Sequence, residues 1–160
     1  MHPLALRPLR EPTEARFCAN FIVASEPWLT LGLTADQAFQ RLTDPSREVH
    51  LATVNEQIVG VVSLHLSGPL NGYIQLIAVH PDWRGRGLGT QLIGFAEQRI
   101  FRQSPNVFLC VSSFNVQAQK LYARLGFQRV GELADFVVKG HSEWLLRKTR
   151  GPLLEYTPGR

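Results

Sequence analysis

Residues 73–90 form the part of the chain that most limits what it can fold into. They read YIQLIAVHPDWRGRGLGT, an apolar run followed by a glycine- and arginine-rich loop and a helical pattern. The apolar run is rich in aromatic and β-branched residues, is too short for a buried helix and is bounded by Gly72 and Pro81, which predicts a central β-strand. The segment therefore predicts a strand, a loop and a helix start in one continuous piece.

The loop in this segment predicts a turn that binds an anion. Its glycines leave successive backbone N–H groups uncovered where a helix N-terminus adds unpaired donors and partial positive charge, an arrangement suited to phosphate. Glycine-rich turns also occur merely to let a helix pack closely on a sheet, so the loop alone leaves both explanations open. The loop residues are Arg84, Gly85, Arg86, Gly87, Leu88, Gly89 and Thr90.

The spacing of the loop excludes two common nucleotide motifs. A Walker loop needs a lysine after its last glycine, and Gly87-Leu88-Gly89-Thr90 has none. A dinucleotide fingerprint needs a third glycine where this chain has Thr90. The pattern that fits is R-x-x-G-x-G directly after a strand.

A second motif lies downstream, where residues 115–127 read NVQAQKLYARLGF. This matches N-x-x-A-x-x-L-Y-x-x-L-G-F, and the two motifs occur in order with a helix and a strand between them. In these residues the chain resembles the GNAT superfamily of acetyl-CoA-dependent N-acetyltransferases, over roughly residues 49–148. The N-terminal part agrees with that family only in its pattern of elements.

The resemblance implies a mixed α/β (α+β) fold, with a central, twisted, mostly antiparallel sheet flanked by helices. We expect one domain over residues 1–150 and a tail at 151–160 that is mobile or docks through Leu153, Leu154 and Tyr156. The patterns predict strands at 4–9, 49–54, 57–66, 73–79, 107–112, 127–133 and 142–148, and helices at 12–24, 34–42, 90–102 and 116–125. Phe17, Phe21 and Ile22 are expected to form the buried stripe of the first helix.

The resemblance also implies roles for particular residues. Pantetheine would pair with the backbone of Ile77, Ala78 and Val79, and the N–H of Val79 would donate to the thioester oxygen as it becomes negative. Residues 84–90 would hold the coenzyme A pyrophosphate. Tyr122 would be the general acid, the alternative being a core tyrosine that packs against Phe127. Asn115 would cap its helix and contact the cofactor.

The general base is not assigned by the sequence. Relatives carry a carboxylate at positions that correspond to Cys110 and Gln75, and neither residue can replace it. Either a water chain deprotonates the amine or another group does, with Glu26, His65 and His80 as weaker candidates. Acceptor selection is expected from residues 26–29, where Trp28 could form an aromatic wall, and from residues 135–141.

Composition limits the remaining classes of function. The chain has 160 residues, 44% of them hydrophobic and 19% charged, which suits a single globular domain. The net charge of +4 favours anionic ligands, but no basic run or nucleic-acid-binding motif occurs, so nucleic acid is not an expected partner. No signal peptide or membrane span is recognised, and a cytoplasmic location is expected by default. Cys18 and Cys110 are expected to be small buried thiols.

The sequence therefore predicts an enzyme that transfers an acetyl group from acetyl-CoA to a primary amine, without a metal. A peptide or protein α-amine is the alternative acceptor. A non-catalytic acyl-CoA sensor is the rival from another class, because Cys110 and Gln75 occupy carboxylate positions. The acceptor and the oligomeric state, including a homodimer, stay open.

Overall fold

The computed structural model describes residues 3–159. Seven strands form one sheet in the order β1-β2-β3-β4-β5-β7-β6, and every neighbouring pair is antiparallel except β4 and β5. The mixed, mostly antiparallel sheet and the central position of β4 confirm the predictions. The strands are β1 Ala5–Pro8, β2 Glu48–Val54, β3 Gln57–His65, β4 Tyr73–Val79, β5 Asn106–Ser112, β6 Gln128–Leu133 and β7 Glu143–Thr149.

Helices cover both faces of the sheet. They are α1 Pro12–Val23, α2 Trp28–Leu31, α3 Ala35–Thr43, α4 Leu88–Ile100 and α5 Val116–Arg124. One core joins α4 and α5 to the sheet through residues such as Leu92, Ile93 and Tyr122. A second core joins α1 and α3 to the other face through Ile22 and Leu42. The site described below lies between these two layers.

Local sequence signals explain several helix ends. The predicted capping box of α3 is present, since the Thr34 hydroxyl accepts from the N–H of Gln37 and the Gln37 amide accepts from the N–H of Thr34. Asn115 caps α5 by accepting from the N–H of Ala118. Gly126 follows α5 at φ 94°, a conformation that favours glycine.

Two sequence-based expectations were wrong in detail, and one short helix was missed. Phe17 is 43% exposed because it stacks on the ring of His80 at the edge of α1 and does not enter the core. The helix after the glycine loop begins at Leu88 and not at Thr90, because Gly87 takes the cap position at φ 78°. The short helix α2, which follows α1 and ends at Gly32, was not expected.

The two parallel strands at the centre of the sheet separate soon after they meet. β4 and β5 are in register only at Tyr73↔Phe108 and Ile74↔Leu109. Gln75 lies at an irregularity where the pairing with β3 passes from Leu64↔Ile74 to Ser63↔Leu76. Beyond this point β4 keeps its neighbour β3 on one side and has an open edge on the other.

The C-terminal segment docks partly on the domain itself. The Tyr156 hydroxyl donates a hydrogen bond to the carbonyl of Phe101, just after α4. The neighbouring Leu154 is 97% exposed. Tyr156 therefore makes the docking contact, and the division into residues 1–150 and 151–160 stays a prediction. Within residues 3–159, no helix has the length and apolar character needed to cross a membrane.

Candidate active site

The opening between β4 and β5 leads into a cavity of about 840 Å³. Its walls come from both layers: Trp28, Leu31 and Arg41 line it from the α2 and α3 side, and Asn115, Ala118 and Tyr122 from α5. The cavity therefore reaches through the sheet. Both segments expected to select the acceptor contribute to it, with Trp28 from the first and Phe136 and Val137 from the second.

The backbone of β4 presents unused hydrogen-bonding groups to this opening. The N–H of His80 donates to the carbonyl of Val59 on β3. Because successive N–H groups of a strand point to opposite sides, the N–H groups of Val79 and Ile77 face the open edge. The N–H of Ala78 faces β3. Of the three residues expected to pair with pantetheine, Ile77 and Val79 thus have a free N–H at the open edge. Ala78 lies between them, but its N–H does not face that edge.

The glycine loop has the backbone that an anion site requires. Gly85 and Gly87 have φ values of 73° and 78°, which residues other than glycine rarely adopt. No hydrogen bond within residues 3–159 uses the N–H groups of residues 85–90, whereas the next N–H, of Gln91, donates to Gly87. Gly89 faces Leu121 of α5, with 3.9 Å between an ideal Cβ and Cδ2. The loop therefore presents free donors beside the helix that carries Tyr122.

The two loop arginines have protein partners. Arg84 donates through Nη2 to the Ser25 hydroxyl over 2.6 Å and through Nε to the Val79 carbonyl over 3.4 Å. Arg86 donates to the Asp82 carbonyl and lies over the ring of Trp83. Arg84 thus connects the end of β4 to the turn that follows α1. Phosphate contact by either arginine stays a prediction.

Tyr122 is both a core residue and a cavity residue. Its side chain packs edge-on against Phe127, with 5.8 Å between ring centroids, and it lies in the cavity wall. Burial raises the pKa of Tyr122 to about 12, so the hydroxyl keeps its proton at neutral pH. The two interpretations of this tyrosine are therefore compatible.

Gln119 fixes α5 against the end of β5, a role that the sequence did not reveal. Its side-chain amide donates to the carbonyls of Ser112 and Ser113, each over 3.0 Å. Asn115 lines the cavity while it caps the same helix. These contacts set the position of Tyr122 relative to the opening.

Of the weaker base candidates, Glu26 and His65 already have hydrogen-bond partners in the protein, and His80 lies outside the cavity wall. Both carboxylate oxygens of Glu26 accept hydrogen bonds from Thr30. The His65 ring is hydrogen-bonded to Ser67 over 3.3 Å. His80 packs against Phe17 and Phe21 and is not part of the cavity wall.

Cys110 and Gln75 do line the cavity, with one correction. Cys110 is half-buried and borders the cavity, so it is not the fully buried thiol that was expected. The reason is that β5 is no longer paired with β4 at the level of Cys110. Burial raises the pKa of the Cys110 thiol, which keeps it protonated. The Gln75 Oε1 is buried and has no hydrogen-bond partner among the described residues.

Glu143 is a cavity residue that sequence reasoning missed. It begins β7, is 5% exposed, and accepts a hydrogen bond of 2.6 Å from the Ser112 hydroxyl. Burial raises the pKa of Glu143, and the Ser112 hydrogen bond acts in the opposite direction. No local motif marks it, because the β5–β7 pairing that brings it to the site joins residues 31 positions apart.

A sheet that opens between two parallel strands beside a glycine-rich helix start defines the class of protein, a mixed α/β acyltransferase fold. The family model described as the Acetyltransferase (GNAT) family matches residues 10–127. The chain belongs to this family of acetyltransferases.

Two relatives have named activities. The N-alpha-acetyltransferase RimI of Mycobacterium tuberculosis is 30% identical over 138 residues, which cover 83% of this chain and 82% of the relative. The aminoalkylphosphonate N-acetyltransferase of Salmonella typhimurium is 34% identical over 96 residues, which cover 55% of this chain and 61% of that relative. The match thus spans less than two thirds of the second relative.

Solved structures of the family share the fold. A candidate GNAT acetyltransferase from Desulfovibrio desulfuricans has a TM-score of 0.76 at 19% identity and covers 92% of this chain and 99% of its own. A candidate streptothricin acetyltransferase from Bacillus anthracis, solved in complex with acetyl coenzyme A, has a TM-score of 0.60 at 23% identity, with coverage of 70% and 67%. At these identities the likeness establishes the fold.

Proposed function

We propose that this protein transfers an acetyl group from acetyl-CoA to a primary amine. The observation that carries the proposal is the opening between β4 and β5, where free backbone of β4 meets a cavity bordered by Tyr122. The unused N–H groups of residues 85–90 suit a diphosphate next to this opening. The acetyl-CoA complex of the Bacillus anthracis protein supports the same ligand.

Acetyl-CoA supplies the activated acyl group as a thioester. The N–H groups of residues 85–90 bind the pyrophosphate, and the free backbone of Ile77 and Val79 orients the pantetheine arm. The N–H of Val79 donates to the thioester oxygen as negative charge develops on it. Tyr122, which is protonated at neutral pH, donates its proton to the departing sulfur.

The names of two relatives indicate which classes of amine are candidate acceptors. One relative is named as an aminoalkylphosphonate N-acetyltransferase and the other as an N-alpha-acetyltransferase, so an amino group is the acceptor in both names. The match to RimI covers most of both chains, which favours a peptide or protein α-amine as the second candidate. The absence of a carboxylate at Cys110 favours a small molecule instead, so the experiment includes both.

The test is a thiol-release assay with acetyl-CoA and a panel of amino acids, polyamines, aminoalkylphosphonates, aminoglycosides and short peptides. We expect one class to release free coenzyme A well above the rate of hydrolysis, with an acetylated product of the expected mass. Acetyl-CoA binding without turnover on any amine would contradict the enzyme and support the sensor. Absence of binding would contradict both.

A further inference from the structure

We propose that Glu143 is the general base of this site, and that its carboxylate binds the acceptor as an ammonium ion and removes one proton from it. This inference rests on the proposed N-acetyltransfer. It supplies the group that the sequence left unassigned, since Cys110 and Gln75 occupy the positions where relatives carry a carboxylate.

The carboxyl group of Glu143 has a defined position in the cavity wall. Glu143 pairs with Ser112 at the carboxyl end of β5, beside the opening, and both residues line the cavity. The Ser112 hydroxyl donates to Oε1 over 2.6 Å, whereas Oε2 accepts no hydrogen bond from any residue of the described chain. One oxygen is thus held in place and the other is available to a ligand.

Several ionisable groups surround Glu143. Cys110 on β5 and Tyr73 on β4 face it as neutral groups, because burial raises the pKa of each. His141 lies just before β7 and acts on the carboxyl electrostatically. Further ionisable groups also line the cavity. Glu26 and Arg41 lie on the α2 and α3 side, and His65 lies at the end of β3.

A buried carboxylate without an ion-pair partner is costly, so a bound cation would be stabilised there. No salt bridge within residues 3–159 involves Glu143. Burial also raises the pKa of Glu143, which brings it closer to the range suited to a base near neutral pH. An ammonium group supplies both the missing positive charge and a proton to remove.

Gln75 is a second cavity residue with an unpaired acceptor. Its Oε1 is buried without a partner and belongs to the same cavity wall. A primary ammonium has three N–H donors, and the Glu143 carboxylate and the Gln75 oxygen are both acceptors. The cavity wall therefore contains unpaired acceptors, which favours a ligand rich in donors.

The proton and electron balance of the step is simple. One ammonium proton passes to Glu143, and the nitrogen lone pair then forms the C–N bond to the acyl carbon. As the C–S bond breaks, the sulfur takes its electron pair and accepts the proton of Tyr122. The nitrogen returns its second proton to Tyr122, keeps the third as the amide N–H, and Glu143 releases its proton to water.

The experiment compares the pH dependence of kcat/KM for two variants, with the acceptor found by the thiol-release panel. Glu143→Gln keeps the shape and can still accept from Ser112, so a structural role would survive. We expect kcat/KM to fall roughly 10²–10⁴-fold and the acidic limb of the profile to disappear. Ser112→Ala removes a hydrogen bond that lowers the pKa of Glu143, so the acidic limb should move to higher pH.

A control and a second readout make the outcomes distinct. Glu132→Gln, on β6 and outside the cavity wall, should leave the profile unchanged. In the protein alone, ¹³C NMR of labelled glutamate carboxyls should show one titration above the ordinary glutamate range, absent in Glu143→Gln and moved upward in Ser112→Ala. A normal profile in active Glu143→Gln protein would overturn the base and leave the acetyltransferase intact. No turnover by wild type on any amine would overturn the proposed function and the base with it.

Discussion

At the scale of single residues, Tyr122 combines deep burial with a place in the cavity wall. Because burial raises its pKa to about 12, the hydroxyl keeps its proton throughout the neutral range. Its packing on Phe127 holds the ring in one orientation. Such a group can deliver a proton without a hydrogen-bonded partner in the protein.

Replacement of Tyr122 tests this role. Tyr122→Phe should lower kcat by roughly 10²–10⁴-fold, since it removes one positioned proton donor. The affinity for acetyl-CoA should stay the same, as measured by calorimetry. Tyr156→Phe removes a hydroxyl far from the cavity and serves as the control, with kcat unchanged. A wild-type kcat in Tyr122→Phe would reduce this tyrosine to a core residue.

Glu14 is the residue whose ionisation contributes most clearly to stability. A hydrogen bond from Arg7 holds the pKa of Glu14 at about 2, with further donation from the N–H groups of Arg10 and Glu11. Since the folded pKa lies below the unfolded one, this stability is present above pH 4.5 and is lost as the pH falls toward 2.

Glu14→Gln should therefore destabilise the protein by about 1–2 kcal/mol at neutral pH. The difference from wild type should shrink between pH 4.5 and pH 2, as measured by urea unfolding. Glu155→Gln, at an exposed position near the C-terminal end of the described residues, is the matched control. A difference that is constant across this pH range would show that the effect is not electrostatic.

At the scale of elements, the β4–loop–α4 unit organises the site. The strand provides free edge groups, the loop provides unused N–H donors, and α4 begins at Leu88 beside α5. Gly87 belongs to both the loop and the helix, because it takes the N-cap position of α4. An ideal Cβ at Gly87 meets nothing within 4 Å.

Gly87→Glu should abolish acetyl-CoA binding, because it places bulk and negative charge where phosphate is expected. The positive φ adds backbone strain of about 1–3 kcal/mol, so circular dichroism must show that the variant is folded. Gly94→Glu introduces the same side chain further along α4, where an ideal Cβ meets nothing within 4 Å, and should bind normally. Unchanged affinity in folded Gly87→Glu protein would exclude the loop as the phosphate site.

Sequence reasoning recovered the elements whose signals are local. The strand and glycine loop, the Thr34 capping box and the Asn115 cap all depend on residues a few positions apart. Glu143 was missed because the pairing of β5 with β7 is a long-range event that no local pattern encodes. Phe17 was misplaced because helical periodicity shows an apolar face but not which of its members reaches the core.

At the scale of the whole molecule, the C-terminal segment is tied to the sheet. The N–H of Arg150 donates to the Pro105 carbonyl over 2.8 Å, and its guanidinium lies 3.9 Å from the centre of the Phe101 ring. Tyr156 adds its hydrogen bond to the Phe101 carbonyl. The segment thus braces the connection between α4 and β5.

Tyr156→Phe should lower the free energy of unfolding by about 1 kcal/mol, the usual value for one hydrogen bond. Amide hydrogen exchange should quicken around residues 101–106 and stay unchanged in β2 and β3. Leu154→Ala, which alters a side chain that is 97% exposed, should have no effect on either measurement. Equal stability of Tyr156→Phe and wild type would mean that the tail does not brace the domain.

In the proposed reaction, a cofactor bound on the α4 and α5 side would meet an acceptor that enters from the α2 and α3 side, through the opening between β4 and β5. A crystal structure with coenzyme A tests this account most directly. We predict the pyrophosphate on the N–H groups of residues 85–90, pantetheine along Ile77 and Val79, and the sulfur within reach of the Tyr122 hydroxyl. Coenzyme A bound elsewhere on the protein, with the opening between β4 and β5 empty, would contradict the account.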